Sequence, residues 1–241
     1  MSERRRHRLS PSRIAAAIAD NGVYTLPVAA RLLQERPATI ARWAFGYQRR
    51  GKDYCAAIIT DIPPIGNSRA IIFLELVELM FVQALLRTGL SWPKVREASR
   101  VAAHLLKDET HPFATRRWFA DPAALYLSLG QEHDEDLLVE VAGHAQLAME
   151  PVLHPYLKQL DFDSRGVARR WFPMGLEAAV VLDPRRSFGM PITVSAGVPT
   201  EVLARLHAAG DSVETIAAWY RMDEAELDAA IRYEEALTFA A

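Results

Sequence analysis

Tyr24-Thr25-Leu26-Pro27-Val28-Ala29-Ala30-Arg31-Leu32-Leu33, then Gln34-Glu35-Arg36, then Pro37-Ala38-Thr39-Ile40-Ala41-Arg42-Trp43-Ala44, is the stretch from which the rest of the fold is read. Thr25 suits an N-cap, and Pro27 is tolerated in the first turn behind it. Pro37 again suits a first helical position, and Ile40 with Trp43 or Ala44 supplies a packing face. The spacing predicts a helix-turn-helix: two short helices and a tight turn. A second helix of this kind is narrow enough for the DNA major groove, where Thr39 and Arg42 would face outward with Arg36, Trp43 and Gln48 nearby.

Upstream, Asp20-Asn21-Gly22 ends a short Ala/Ile helix. Downstream, Tyr54 to Ile62 is rich in aromatic and β-branched residues and is closed by Pro63-Pro64, which predicts a β-wing. Arg49, Arg50 and Lys52 lie where such a wing would lay them on the phosphate backbone, and Arg69 ends the same region; such contacts position a protein without reading sequence. Solvated surface charge is the competing account of these cations. Ala70 to Arg87 predicts a long helix apolar nearly all round, covered on more than one side. Ser91 is expected to cap a further helix to about Lys107.

Short strands are expected between His111 and Leu129 around Asp121-Pro122, and a helix over Asp134 to Met149. Trp171-Phe172, Ala179 to Leu182 and Ile192 to Val194 are strand-like. Thr200 is expected to cap a helix closed by Gly210, Asp211 with Glu214 to form a capping box for Val213 to Tyr220, and Asp223 with Glu226 another. The fold class is mainly α with short β elements (α+β). The expected domains are 13–108 (winged helix-turn-helix), 109–175 (a connecting α/β region) and 176–241 (a small helical domain).

Composition bounds the function. With 241 residues, half of them hydrophobic, the chain can bury a sizeable core. The lone Cys55 leaves no internal disulfide framework and no cysteine-based zinc site, in keeping with a reducing cytoplasm. Met1 to Pro11 is basic but precedes no continuous apolar run, so no secretory signal is expected; Ala70 to Leu86, interrupted by Glu75 and Glu78, is too short to span a bilayer, so no membrane is expected as a partner. The net charge of −2 hides a polarity: residues 1–52 hold 11 Lys+Arg against 3 Asp+Glu, and residues 53–241 hold 17 against 27. Such asymmetry points to nucleic acid at the basic end and another kind of partner at the other.

Val213 to Tyr220 and Glu224 to Leu237 also read as a helix-turn-helix, but an acidic one. Residues 200–241 hold 9 Asp+Glu against 3 Lys+Arg, and Glu224, Glu226 and Asp228 occupy the part that would meet phosphate. That surface repels DNA and suits a protein, either a second subunit or a basic partner, unless it is simply a solvated face. Catalysis is not expected. His104, His111, His133, His144, His154 and His207 show no metal-ligand spacing, and the acids beside His133 and at Asp161 and Asp163 fit turns and helix starts. Asp183 to Pro191 has one glycine and no Gly-Lys-Ser/Thr ending, so it reads as a turn between strands, not a phosphate loop. No cofactor or metal is expected.

The N-terminal pattern from Tyr24 to Trp43, with Gly89-Leu90-Ser91 as a second turn, resembles the MerR-like winged helix. Arg42-Trp43 stands where that family has an arginine-tyrosine pair, and no effector-binding cysteines follow, so metal sensing is not implied. Val181-Leu182-Asp183-Pro184-Arg185-Arg186-Ser187-Phe188-Gly189-Met190-Pro191, with Gly197-Val198-Pro199-Thr200 and Gly210-Asp211-Ser212 behind it, resembles a small bacterial domain-of-unknown-function family of VapB-like antitoxins. Together, residues 15 to 240 resemble the long VapB-type antitoxins. The resemblance implies a type II antitoxin that binds operator DNA as a homodimer, represses its own operon and neutralises a PIN-like ribonuclease toxin. The alternative is a one-component transcriptional regulator whose small-molecule effector sits among Trp118, Tyr126, Trp171 and Phe172.

Overall fold

The computed structural model describes residues 21–48, 54–55, 57, 70–87, 89–105, 111–116 and 154–239. Its N-terminal part runs β1 (Tyr24–Thr25), α1 (Leu26–Leu33), α2 (Pro37–Phe45), β2 (Tyr47–Gln48), β3 (Tyr54–Cys55), β4 (Ala70–Ile71), α3 (Phe73–Arg87) and α4 (Trp92–Leu105). A 3-10 turn at Pro112–Ala114 follows. The C-terminal part runs α5 (His154–Leu157), β5 (Leu160–Phe162), β6 (Ala168–Trp171), β7 (Val180–Leu182), β8 (Pro191–Thr193), α6 (Thr200–Ala208), α7 (Val213–Tyr220) and α8 (Glu224–Phe239). This is an α+β fold. No helix among the described residues is long and apolar enough to cross a membrane.

The expected long helix begins three residues late. Ala70 and Ile71 are extended and pair antiparallel with Thr25 and Tyr24, which ties the start of α1 to the start of α3. The helix then opens at Phe73, where the Glu75 carboxylate reaches back to accept from the Ile72 N–H at 2.6 Å, half of a capping box. Its side chains from Glu75 to Leu85 are all buried, as an all-round apolar sequence requires. Gln83 donates to the Leu33 carbonyl at 2.8 Å and to Glu35 at 3.0 Å, satisfying a carbonyl left free at the end of α1. Glu78 accepts from the Phe113 and Ala114 N–H groups at 2.6 and 3.0 Å and so pins the 3-10 turn to α3.

Strands β5 to β8 form one antiparallel sheet in sequence order. The expected boundary at 175/176 runs through it, since β5 and β6 lie before that point and β7 and β8 after. Alternation along β7 splits its side chains between two faces: Val180 and Leu182 join the main core, while Val181 packs with Phe172 and Ile192 on the other face. The main core is one connected set of buried residues from Tyr24 to Leu237.

Three expected caps are corrected. Thr200 is the first residue of α6 rather than its cap, and its buried hydroxyl is engaged with the Pro191 carbonyl and Glu234. Ser212, not Asp211, caps α7, accepting from the Thr215 N–H at 3.3 Å. Asp223 does accept from the Ala225 N–H at 2.7 Å, but Glu226, instead of completing that box, accepts from the backbone and hydroxyl of Ser195. The rest of the expected wing at Ile58 to Ile62, the strands around Asp121-Pro122 and the helix over Asp134 to Met149 lie outside the described residues.

Candidate nucleic-acid and partner interfaces

Helices α1 and α2 are joined by a three-residue turn in which Gln34 is left-handed (φ 54°, ψ 46°) and donates its N–H to the carbonyls of Ala30 and Arg31. Ile40 and Ala44 are buried, which fixes the opposite face of α2 toward solvent. On that side Arg42 is exposed and Thr39 is half-buried at its flank, and Arg36 is exposed in the turn as the N-cap of α2. Arg42 lies 5.9 Å from the Tyr47 ring, a cation–π contact that steadies the guanidinium without consuming its donors. Trp43 faces the other way: its ring stacks on Trp92 at 6.1 Å, with the Arg96 guanidinium 5.5 Å from Trp92. That side chain packs α2 against the start of α4. Gln48 is exposed on β2, whose backbone pairs antiparallel with Tyr54 and Cys55 of β3. Arg49, Arg50, Lys52 and Arg69 lie outside the described residues.

The second pair, α7 and α8, repeats this geometry 187 residues on. Arg221 is left-handed (φ 53°, ψ 46°) and donates to Ala217 and Ala218, the counterparts of Ala30 and Arg31. Buried Ile216, Ala217, Leu227 and Ile231 stand where Ala29, Ala30, Ile40 and Ala44 stand in the first unit. Of the expected partner-binding acids, Glu224 and Asp228 are exposed, whereas Glu226 is half-buried on the Ser195 turn. Sequence reasoning missed Trp219, which is 59 % exposed although its counterpart Leu32 is 5 % exposed.

The two units are joined through α1 and α8. Glu234, buried on α8, accepts from Arg31 at 2.8 Å and from the Thr200 hydroxyl at 2.5 Å. A carboxylate out of water requires such partners, and Arg31 is the only cation that reaches it among the described residues. The Tyr24 hydroxyl donates to the Gly189 carbonyl at 2.8 Å, and its burial pushes its pKa well above the ordinary tyrosine range. A cleft of about 360 Å³ lies beside this junction, bordered by Arg31, Phe188, Met190, Val202, Arg205 and Glu234.

The expected effector pocket is not formed by Trp171 and Phe172. As neighbours leaving a strand they point to opposite faces of the sheet, Trp171 into the main core with its Nε1 donating to Gln159 and Phe172 onto Val181 and Ile192. Trp118 and Tyr126 lie outside the described residues. His111 is held near pKa 4 by burial, which suits a neutral packed ring, and no group of three His, Cys, Asp or Glu among the described residues could hold a metal ion.

Two turn-linked helix pairs of opposite charge, docked on one core, define the architecture of the protein. Residues 180–233 match the family described as "Protein of unknown function (DUF433)", which takes in β7, β8, α6, α7 and most of the buried part of α8. The chain is 31 % identical over 204 residues to the Mycobacterium tuberculosis H37Rv protein named "Putative antitoxin VapB45", covering 78 % of this chain and 84 % of that one. It therefore belongs to the VapB45 family. It also resembles the crystal structure of Rv2018 from Mycobacterium tuberculosis, with a TM-score of 0.63 and 25 % identity over 86 % of this chain and 96 % of that one.

Proposed function

We propose that the protein is the DNA-binding antitoxin of a type II toxin–antitoxin pair, acting in the cytoplasm as a homodimer that represses its own operon. The observation that carries the DNA reading is the outward face of α2, where Arg42 is exposed and Thr39 half-buried, with Arg36 exposed at the N-cap of that helix. In this reading the fold around α2 is a MerR-like winged helix over residues 13–108. Arg42 and Thr39 reach base edges, Arg36 and Gln48 flank them, Trp43 sets the helix by stacking on Trp92, and Arg49, Arg50, Lys52 and Arg69 meet phosphates. Similarity to a protein named as an antitoxin supports a toxin partner, here a PIN-like ribonuclease, engaged by the acidic end of residues 176–241 through Glu224, Asp228 and Glu226.

Gel shifts on the DNA upstream of the chain's own gene test this. The wild type should bind, its affinity should fall steeply with salt, and Arg42→Ala should weaken it by roughly ten-fold or more. Unchanged affinity in Arg42→Ala would sink the site, and absence of a complex with the product of the neighbouring gene would sink the antitoxin role. Glu224→Lys with Asp228→Lys should weaken that complex and leave the gel shift intact.

A further inference from the structure

The turn from Asp183 to Pro191 has no part in the reading above, yet its backbone is unusual. Ser187 (φ 46°) and Phe188 (φ 55°) are consecutive non-glycine residues in the left-handed region, which L side chains rarely adopt. Surrounding contacts hold them there. The Val23 N–H donates to the Phe188 carbonyl at 3.1 Å, and Tyr24 donates to the Gly189 carbonyl. The approach is so close that a Cβ on Gly189 would lie 2.4 Å from the Tyr24 hydroxyl, and one on Gly22 would lie 3.1 Å from the Phe188 carbonyl. Asp183 closes the other end, accepting from the Arg185 N–H at 3.0 Å through its side chain and from the Arg186 N–H at 2.9 Å through its carbonyl.

The outcome of this bracing is a display. Phe188 is 65 % exposed, and Arg185, Arg186 and Ser187 are exposed beside it. Asp183, the acid within the turn, is spent on its backbone. Strain held in place to put an aromatic ring in water serves no packing purpose, and strained residues of this kind concentrate where a ligand is met. The position is informative as well: the turn is bolted to Gly22–Tyr24, directly before the N-terminus of α1. In a helix-turn-helix that first helix crosses the phosphate backbone while the second enters the groove.

We propose that the Arg185-Arg186-Ser187-Phe188 turn is a second DNA contact, supplied to the N-terminal reading head by the C-terminal part of the chain. Arg185 and Arg186 meet backbone phosphates flanking the bases faced by α2, and the Phe188 ring packs against the sugar edge between them. The inference rests on the DNA reading of α2. It assigns the family segment at 180–233 a role in DNA binding that its acidic helix α8 cannot have.

Fluorescence anisotropy of the full chain on a labelled duplex from its own upstream region, titrated with salt, tests the inference. Arg185→Ala with Arg186→Ala should weaken binding about ten-fold at low salt and flatten the log–log salt slope by about two, one per phosphate lost. Phe188→Gly should weaken binding about three-fold or more while Tm holds or rises, because glycine takes the left-handed conformation without strain. A ring kept only for stability would show the reverse. If Arg42→Ala weakens binding while both turn variants keep wild-type affinity and slope, the turn contact is overturned and the α2 reading stands. No binding by the wild type overturns both. If the turn variants keep their DNA affinity but lose the complex with the neighbouring gene product, the turn serves an acidic protein surface and the inference is likewise overturned.

Discussion

The two turn-linked helix pairs, α1–α2 and α7–α8, share a backbone and differ in almost everything that meets solvent. Their first helices are each eight residues, their turns each place one left-handed non-glycine residue after that helix, and the same four positions are buried. Around α2 the outward residues are Arg36, Thr39 and Arg42; at the same positions around α8 they are Asp223, Glu226 and Ala229. The geometry of the motif is thus set by a few apolar contacts and one turn, and leaves the choice of partner to residues that play little part in folding. Packing differs too. The first unit is covered by α3, with Gln83 on the end of α1, whereas the corresponding side of α7 leaves Trp219 in water.

That difference in cover can be broken most directly at Leu32 and Trp219. Leu32→Ala should cost about 2–4 kcal/mol of unfolding free energy, as buried leucine truncations do, while Trp219→Ser should cost less than about 1 kcal/mol; chemical denaturation of each variant measures both. Equal costs would mean that the two units are covered alike. If Trp219 is met by a partner, Trp219→Ser will instead show in the affinity of the complex with the neighbouring gene product.

The junction between the units gives the next effect. Glu234→Ala leaves Arg31 without its acceptor and the Thr200 hydroxyl with the Pro191 carbonyl alone, and should cost about 2–3 kcal/mol, less than a fully buried pair because Arg31 is 28 % exposed. A double-mutant cycle with Arg31→Met should recover part of the loss. Strictly additive costs would show that Arg31 and Glu234 contribute no coupling to the junction, which then rests on its other contacts.

The first unit also rests on two buried carboxyls of α3. Burial raises Glu78 from its ordinary 4.5 to about 8 and Glu75 to about 7. Both carboxyls are neutral in either state at low pH. As pH rises from about 4.5 the unfolded chain ionises while the folded one resists, so stability falls until the folded pKa is passed. His111, lowered to about 4, works the other way and removes stability as pH falls below 6.5. Tm should therefore decline from pH 6.5 to 8. Glu78→Gln, which keeps the acceptor for Phe113 and Ala114, should flatten that decline, by about 1–2 kcal/mol at pH 8. A parallel profile in the variant would place the titration elsewhere.

The smallest effect tests the shared turn itself. Gln34→Gly and Arg221→Gly should each be neutral to stabilising by about 0.5–1 kcal/mol, since each replaces a side chain held at positive φ. Opposite signs at the two sites would mean that the turns, though alike in angle, are braced differently.

Much of this was legible in the sequence because it is local. Pro37, Thr25 and the spacing of Ile40 and Ala44 placed both N-terminal helices, and Asp223 announced α8. Residues with two local options were read less well: Ala70 and Ile71 suit helix or strand equally, and pairing with β1 decides for strand. Asp211 and Thr200 look like capping residues, yet Ser212 takes one cap and the buried carboxylate of Glu234 claims the other hydroxyl. Trp171 and Phe172 look like a pocket in one dimension and fall on opposite faces of a sheet in three.

The sequence by itself determined a basic N-terminal end, an acidic C-terminal end and the pair of short helices in each, because charge and helical period are properties of neighbours along the chain. Only the tertiary structure decided that the two units dock on one core through Arg31 and Glu234, that Trp219 is left uncovered, and that a turn from the acidic half is braced beside the first helix of the basic one. Those contacts join residues more than 160 positions apart, and no local pattern encodes which distant carbonyl Tyr24 will find.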